Sequence, residues 1–236
     1  MSKEFKTLFD YLKNLQSRYF HALSAFYVYE GLLESSAPNI VGQKEAGQNV
    51  KILNQFKNFF IVSKEALRVY FFLELAKLFD ESKQSLHISK IVNFAGSNIK
   101  KLSQKDFLEF HQGRTFLSEL FKQYKAMDNK DLAEIKNKIS SHEKIIKKID
   151  DYRNQYLTHE DKKKKEIIIN SGEIQKLFKL IADILNLFSS RLDFSTTAWE
   201  HVEKECKGDT KRVVEYLKRF EPYRLQEIEK KYNLRK

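Results

Sequence analysis

The sequence predicts an all-α protein, an up-and-down bundle of long helices with a short helical C-terminal extension. Three observations carry that prediction. Seven glycines and two prolines occur in 236 residues, where an average chain carries about 12% of the two together. An all-β fold needs such residues at each of its many turns. Apolar residues recur at steps of three and four, the spacing of one helix face, and the stretches between breakers are long. A compact chain of this length buries roughly 70% of its unfolded surface, so it needs no disulfide or metal staple.

The elements follow from the breakers. Residues 3–33 read as one long helix whose stripe is Phe5, Leu8, Leu12, Leu15, Tyr19, Ala22, Phe26 and Tyr29. Gly31, Pro38, Gly42 and Gly47 mark a loop around Ser35–Asn39, the local chemistry of a turn. Residues 49–80 read as a second helix, and its run Val69–Phe79 is apolar on most sides, which predicts a central position. Ser85–Ala95 is a brief helix stopped at Gly96, and 104–126 is another with a break at Gly113. The stripe Leu132, Ile135, Ile139, His142, Ile145, Ile149, Tyr152, Tyr156 makes a long helix over about 129–159. Asn170 or Ser171 caps a helix through Leu192, with Ile174, Leu177, Ile181, Leu185 and Phe188 inward. Thr197-x-x-Glu200 resembles a capping box, and two short helical pieces, 209–220 and 223–233, follow. The expected organisation is a body over 1–192 and a basic helical appendage over 193–236.

The charge balance is 43 Lys and Arg against 32 Asp and Glu, or +11. Such an excess favours polyanions, nucleic acid or an anionic surface; it also serves simply to keep a bundle soluble. Cys206 stands alone and cannot form an internal disulfide, which fits a reducing compartment. The start, Met1 to Lys6, lacks the apolar core of a signal peptide, and no apolar run reaches the ~18–20 residues that span a bilayer. The expectation is a cytoplasmic protein with no membrane contact.

Most catalytic signatures are absent: no phosphate-binding glycine loop, no HExxH, no zinc spacing and no G-x-S-x-G elbow. No cofactor and no metal site is expected. The segment Asp150-Asp151-Tyr152-Arg153-Asn154-Gln155-Tyr156-Leu157-Thr158-His159-Glu160-Asp161 differs, and it runs into Lys162, Lys163, Lys164 and Lys165. Arg153-x5-His159, with Asn154 after the arginine, resembles the R-x4–6-H motif of the HEPN superfamily of helical nucleic-acid-acting domains. His159-x-Asp161-Lys162 is similar to its AbiU-like abortive-infection branch. Leu73-x-Leu75-Ala76-x-Leu78-x-Asp80, followed by Ser85-Leu86-x-Ile88, agrees with it. The resemblance covers roughly residues 50–192 and implies a HEPN-like bundle. It further implies an endoribonuclease of phage defence or of a toxin–antitoxin system. Arg153, His159 and Asn154 would be its catalytic residues and Asp150 and Asp161 would support them. Such domains pair with their motif helices facing across a twofold axis, so a homodimer is implied, together with a cognate antitoxin or defence partner.

The chemistry of these residue types fits RNA. RNA carries its own nucleophile, the 2′-hydroxyl, so a base suffices for cleavage, and a histidine titrating near 6.5 suits that role. Arginine's planar fork matches the charge gathering on phosphate oxygens. Lys162–Lys165 would hold the RNA backbone; Tyr152 or Tyr156 can stack on a base, although Tyr156 continues the apolar stripe into the core. On an ideal helix Arg153 and His159 lie about 120° apart, so a helix end or a second copy must bring them to one phosphate.

Other readings of the same residues stand beside this one. Asp150, Arg153 and Asn154 fit a surface ion pair at i,i+3 and i,i+4, His159 fits a helix C-terminus, and the lysines fit a solvated loop. His159-Glu160-Asp161 suits weak binding of a divalent ion. The alternative function is a non-catalytic basic module that binds nucleic acid or a partner. A third reading is a HEPN-fold partner protein acting through its interfaces; there a tyrosine two residues past the histidine is a modification site, and Asp161 stands at that position here.

Overall fold

The computed structural model describes residues 2–80, 82, 84–114, 121–158 and 166–233. The fold is all-α: 83% of it is helical, and no strand occurs among the described residues. In chain order the helices are α1 (Lys3–Glu34), α2 (Pro38–Val41), α3 (Gln43–Gln55), α4 (Lys57–Phe79), α5 (Ile88–Ser97), α6 (Gln104–Phe110), α7 (Asn129–Ser141), α8 (Glu143–Tyr152), α9 (Ser171–Leu192) and α10 (Glu200–Asn233). The chain divides into two compact units, one of Met1–Ala22 with Phe72–Trp199 and one of Leu23–Phe71 with Glu200–Lys236. This is a different division from a 1–192 body with an appendage, because α10 folds with the second half of α1 and with α3.

In the first unit, Phe5, Leu8, Leu12, Leu15, Tyr19 and Ala22 of α1 are buried, and so are Ile174, Leu177, Phe178, Ile181, Leu185 and Phe188 of α9. These two stripes fall where the periodicity places them. Tyr19 donates its hydroxyl to the Phe178 carbonyl at 3.0 Å and sets its ring edge-on to Trp199. A helix C-terminus leaves carbonyls without partners, and two side chains serve those of α9. Tyr124 Oη donates to the Arg191 carbonyl at 2.8 Å and His111 Nε2 lies 2.7 Å from that of Leu192. Burial pushes the His111 imidazole below its ordinary value. Arg191 in turn holds Asp131 of α7 through Nε and Nη2, at 2.8 and 3.0 Å. Asn170 caps α9 in a capping box with Glu173, and Asp128 caps α7 in one with Asp131.

In the second unit, Leu32, Leu53, Phe60 and Val214 form a buried cluster, with Val28, Leu67 and Leu217 packed on it. Gly31 lets α1 and α10 approach: a Cβ there would sit 3.1 Å from Cβ of Thr210. Lys207 gathers Glu34, Glu203 and Glu30 at 2.7, 3.0 and 3.4 Å.

Four expected elements take another form. The helix expected over 49–80 is two, because Phe56 (φ −111°, ψ 33°) breaks it; Leu53 before the break and Phe60 after it pack in one cluster. Only the second half of α4 is central, with Phe71, Phe72, Leu75 and Leu78 buried while Phe59 and Val62 are exposed. The motif helix is broken at His142, whose Nδ1 lies 2.8 Å from the Lys138 carbonyl and whose amide turns to Ile139 instead. The C-terminal pieces are one helix, α10, which carries Pro222 inside it. Proline removes one helix bond, and the Glu221–Arg224 pair at 2.7 and 2.9 Å spans that turn. The expected capping box at Thr197 does not open α10. Instead Asn186 clamps the Thr197 backbone, accepting from its amide at 2.9 Å and donating to its carbonyl at 3.0 Å.

Candidate functional site

The expected site begins where α8 ends. Its one buried residue is Ile149, so α8 packs by that side and leaves Asp150 and Arg153 at the edge of the packed face. After Tyr152 the chain does not stop. It widens into a π-helix over Arg153–Thr158, a rare winding that is frequently found at functional sites. Over Arg153–Thr158 the winding is therefore not the 3.6-residue turn of an α-helix.

The fork of Arg153 is held on three sides. Nη2 lies 2.6 Å from Oδ1 of Asp150, Nη1 lies 3.4 Å from Oδ2 of Asp80, and Nε donates to Oδ1 of Asn154 at 3.1 Å. Asn154 donates its amide to the second oxygen of Asp150 at 3.2 Å. Asp150, Arg153 and Asn154 thus form one closed hydrogen-bonded group, and the arginine side chain is 18% exposed. Asp80 comes from the end of α4, and sequence reasoning did not assign it to the site. Its signal was its place at the end of the stretch Leu73-x-Leu75-Ala76-x-Leu78-x-Asp80 that shares in the family resemblance; no local spacing pairs it with a residue 73 positions later.

Beside the arginine is a cavity of about 320 Å³ walled by Ala76 and Phe79 of α4, Asp80 just after it, Ile146, Ile149 and Asp150 of α8, and Arg153. One wall set is apolar and the other charged, the arrangement of a pocket that orients a ligand through few polar groups. Next to it, Tyr152 packs on Phe72 at 4.6 Å between centroids and stacks on Tyr156 at 5.0 Å. Tyr156 is half-buried rather than in the core.

His159, Asp161, Lys162, Lys163, Lys164 and Lys165 lie outside the described residues. So does the His159-Glu160-Asp161 cation reading. Among the described residues, no group of His, Cys, Asp and Glu is arranged to hold a metal ion, and no helix is long and apolar enough to cross a membrane.

What the described part can do is chemically definite. A guanidinium fixed by two carboxylates and an amide is preorganised, with little side-chain freedom left to lose, yet its charge is already countered. An incoming anion must compete with Asp80 and Asp150. Compared with known families, residues 5–213 match the HEPN family model described as AbiU2. No curated protein and no solved structure matches the chain.

Proposed function

The chain belongs to the HEPN family of AbiU2 proteins, and on that premise we propose that it is a metal-independent endoribonuclease acting in phage defence or a toxin–antitoxin system. The observation that carries the proposal is the anchored fork of Arg153, fixed by Asp80, Asp150 and Asn154 at the head of the segment that leads to His159. In this reading His159 removes the proton of a ribose 2′-hydroxyl. The 2′-oxygen attacks the adjacent phosphorus, the P–O5′ bond breaks, the leaving 5′-oxygen takes a proton from water, and the products are a 2′,3′-cyclic phosphate and a 5′-hydroxyl. Arg153 carries the charge that gathers on the phosphate oxygens. Asn154 keeps the arginine's fork aligned, with Asp150 and Asp161 in support. Lys162–Lys165 hold the RNA backbone by an attraction that falls with salt. Two copies of the chain pair to complete the cleft, and a cognate antitoxin or defence partner keeps it in check.

The test uses a structured RNA and the same RNA 2′-deoxy-substituted at its cleaved positions, both in EDTA. Only the ribose form is cut, and His159→Ala and Arg153→Ala each lose at least about a hundredfold of the rate, the scale of a general base or of one charge-stabilising donor. Cleavage of both substrates, or full activity in His159→Ala, refutes the proposal.

One observation favours a second reading. Two carboxylates already neutralise Arg153, which suits an ion pair within a non-catalytic RNA-binding or interaction module. That module would bind RNA in a salt-sensitive manner, cut nothing, and tolerate His159→Ala.

A further inference from the structure

The cavity beside Arg153 has an apolar floor and a charged mouth. Ala76 and Ile149 are buried beneath it, and Phe79 and Ile146 are half-buried at its sides. The first of each pair comes from α4 and the second from α8, so a flat ring entering here meets apolar side chains from two helices. At about 320 Å³ the space is at the small end of ligand pockets and suits one nucleobase. Its polar groups are Asp80, Asp150 and Arg153.

Those polar groups decide which base. When a phosphate takes the fork of Arg153, the two carboxylates that held it lose their cation. The loss is unequal. Asp150 gives up a contact of 2.6 Å and Asp80 one of 3.4 Å, and Asp80 keeps the Ser82 amide, which donates to its other oxygen at 3.1 Å. Asp150 is also the more exposed side chain, 49% against 33%. It is therefore the carboxylate that a bound strand can reach and must satisfy, since an acceptor stripped of its partner weakens the complex. An ionised carboxylate only accepts, so the base has to bring N–H groups to it.

Unstacked RNA bases are read along their pairing edges, and those edges differ. Guanine presents two adjacent donors, N1–H and the N2 amine, which match the two oxygens of one carboxylate. Adenine and cytosine present one amine beside a ring nitrogen that is itself an acceptor. Uracil presents one N–H between two carbonyl oxygens. In those three the carboxylate faces a lone pair. A strand with guanine next to the bound phosphate replaces both lost partners at once: the phosphate takes the guanidinium and the base takes the carboxylate.

We propose that this cavity is a guanine subsite, with Asp150 accepting from N1–H and the N2 amine of the base adjoining the phosphate on Arg153. This deepens the proposed function by naming the base; it rests on that function's placing of an RNA phosphate on Arg153, and not on cleavage.

The test is fluorescence anisotropy of the full chain with short uridine strands, each carrying one central guanosine, inosine, adenosine, cytidine or uridine. All are 2′-deoxy-substituted so that none is cut. Wild type binds the guanosine strand at least about tenfold tighter than the adenosine, cytidine and uridine strands, the discrimination of one good bidentate base contact. Inosine, which keeps N1–H and lacks the N2 amine, falls between. Asp150→Asn keeps the shape but turns one acceptor into a donor, and the guanosine-to-uridine ratio falls to within about twofold. A residue that merely holds Arg153 in place would shift every strand alike and leave that ratio unmoved. Equal binding of the guanosine and uridine strands by wild type, a preference for adenosine or cytidine, or a guanosine preference that survives Asp150→Asn overturns the subsite. The same strands with ribose throughout, in EDTA, separate the two proposals. Cleavage without regard to base, beside binding without regard to base, removes the subsite and leaves the endoribonuclease. Guanosine-selective binding without cleavage leaves the subsite and removes the endoribonuclease.

Discussion

Asp80→Asn is expected to raise the affinity for RNA. Asp80 Oδ2 sits 3.4 Å from Nη1 of Arg153, and the two side chains are 33% and 18% exposed. Even with the dielectric of bulk water, unit charges at that distance attract by about 1 kcal/mol, and measured pairs with comparable exposure reach up to about that value. A phosphate binding Arg153 must overcome this attraction. Removing the carboxylate charge releases about 1 kcal/mol for the ligand, roughly a fivefold fall in Kd. Substituting the isosteric amide keeps the wall of the cavity in place. The assay is fluorescence anisotropy with a 2′-deoxy-substituted strand, which resists cleavage, at low salt in EDTA. Arg153→Ala and the double variant Asp80→Asn/Arg153→Ala complete a cycle. The gain should vanish when Arg153 is absent and shrink as salt is raised. An affinity that is unchanged, or a gain that persists without Arg153, refutes the argument that Asp80 restrains this guanidinium.

Three further outcomes are expected. Asp131→Asn breaks the pair with Arg191, whose partner side chains are 6% and 17% exposed. The cost is about 2–3 kcal/mol, below the ~3–5 of a fully buried pair because Arg191 still reaches water. At ~2–4 °C per kcal/mol for a chain of this size the melting temperature falls by roughly 5–10 °C, and a shift under ~2 °C counts against the bridge. The hydrogen bonds from Arg191 hold the Asp131 carboxyl below its ordinary 3.8, so its contribution is full above that pH and is lost as pH falls through the lowered value. His111 acts in a higher window. Burial lowers it from 6.5, the unfolded chain therefore binds the proton first, and stability is full above 6.5 and declines as pH drops below it. Melts between pH 8 and 5.5 should show that slope, and His111→Gln should flatten it; an identical slope in the variant would exclude His111 as its source. Replacing Lys162–Lys165 with alanine should make RNA binding less salt-dependent, by about 0.7 in the log–log slope for each phosphate that those lysines no longer neutralise, and an unchanged slope would mean that other cations hold the RNA backbone.

The site shows how far local sequence reaches. Asp150, Arg153 and Asn154 were legible because they are three and four residues apart on one helix, and a helix puts such neighbours in contact whatever surrounds it. The stripes of α1 and α9 were legible for the same reason. Asp80 was not, since its approach to Arg153 depends on how α4 and α8 pack. The π-helical turn over 153–158 was also hidden, because the stripe through Tyr152 and Tyr156 reads as a continuing α-helix.

The breaks at Phe56 and His142 make the same point from the other side. Neither residue is a glycine or proline, and each sits within an unbroken period of apolar residues. Leu53 and Phe60, on either side of the break at Phe56, both pack in one cluster. Conversely Pro222, the strongest local breaker, sits inside α10, where one missing backbone bond is outweighed by the turns on either side and by the Glu221–Arg224 pair across it.

By itself, then, the sequence determined the helical class, the buried faces of α1 and α9 and the polar group at the end of α8. These depend on backbone propensity and on contacts a turn or less apart. Only the tertiary structure decided that Asp80 restrains Arg153, that α10 joins α3 and the end of α1, and that the apolar start of α4 faces outward. Each of these is a contact between residues far apart in the chain, set by which faces find enough apolar area to bury against one another, and no local spacing records that choice.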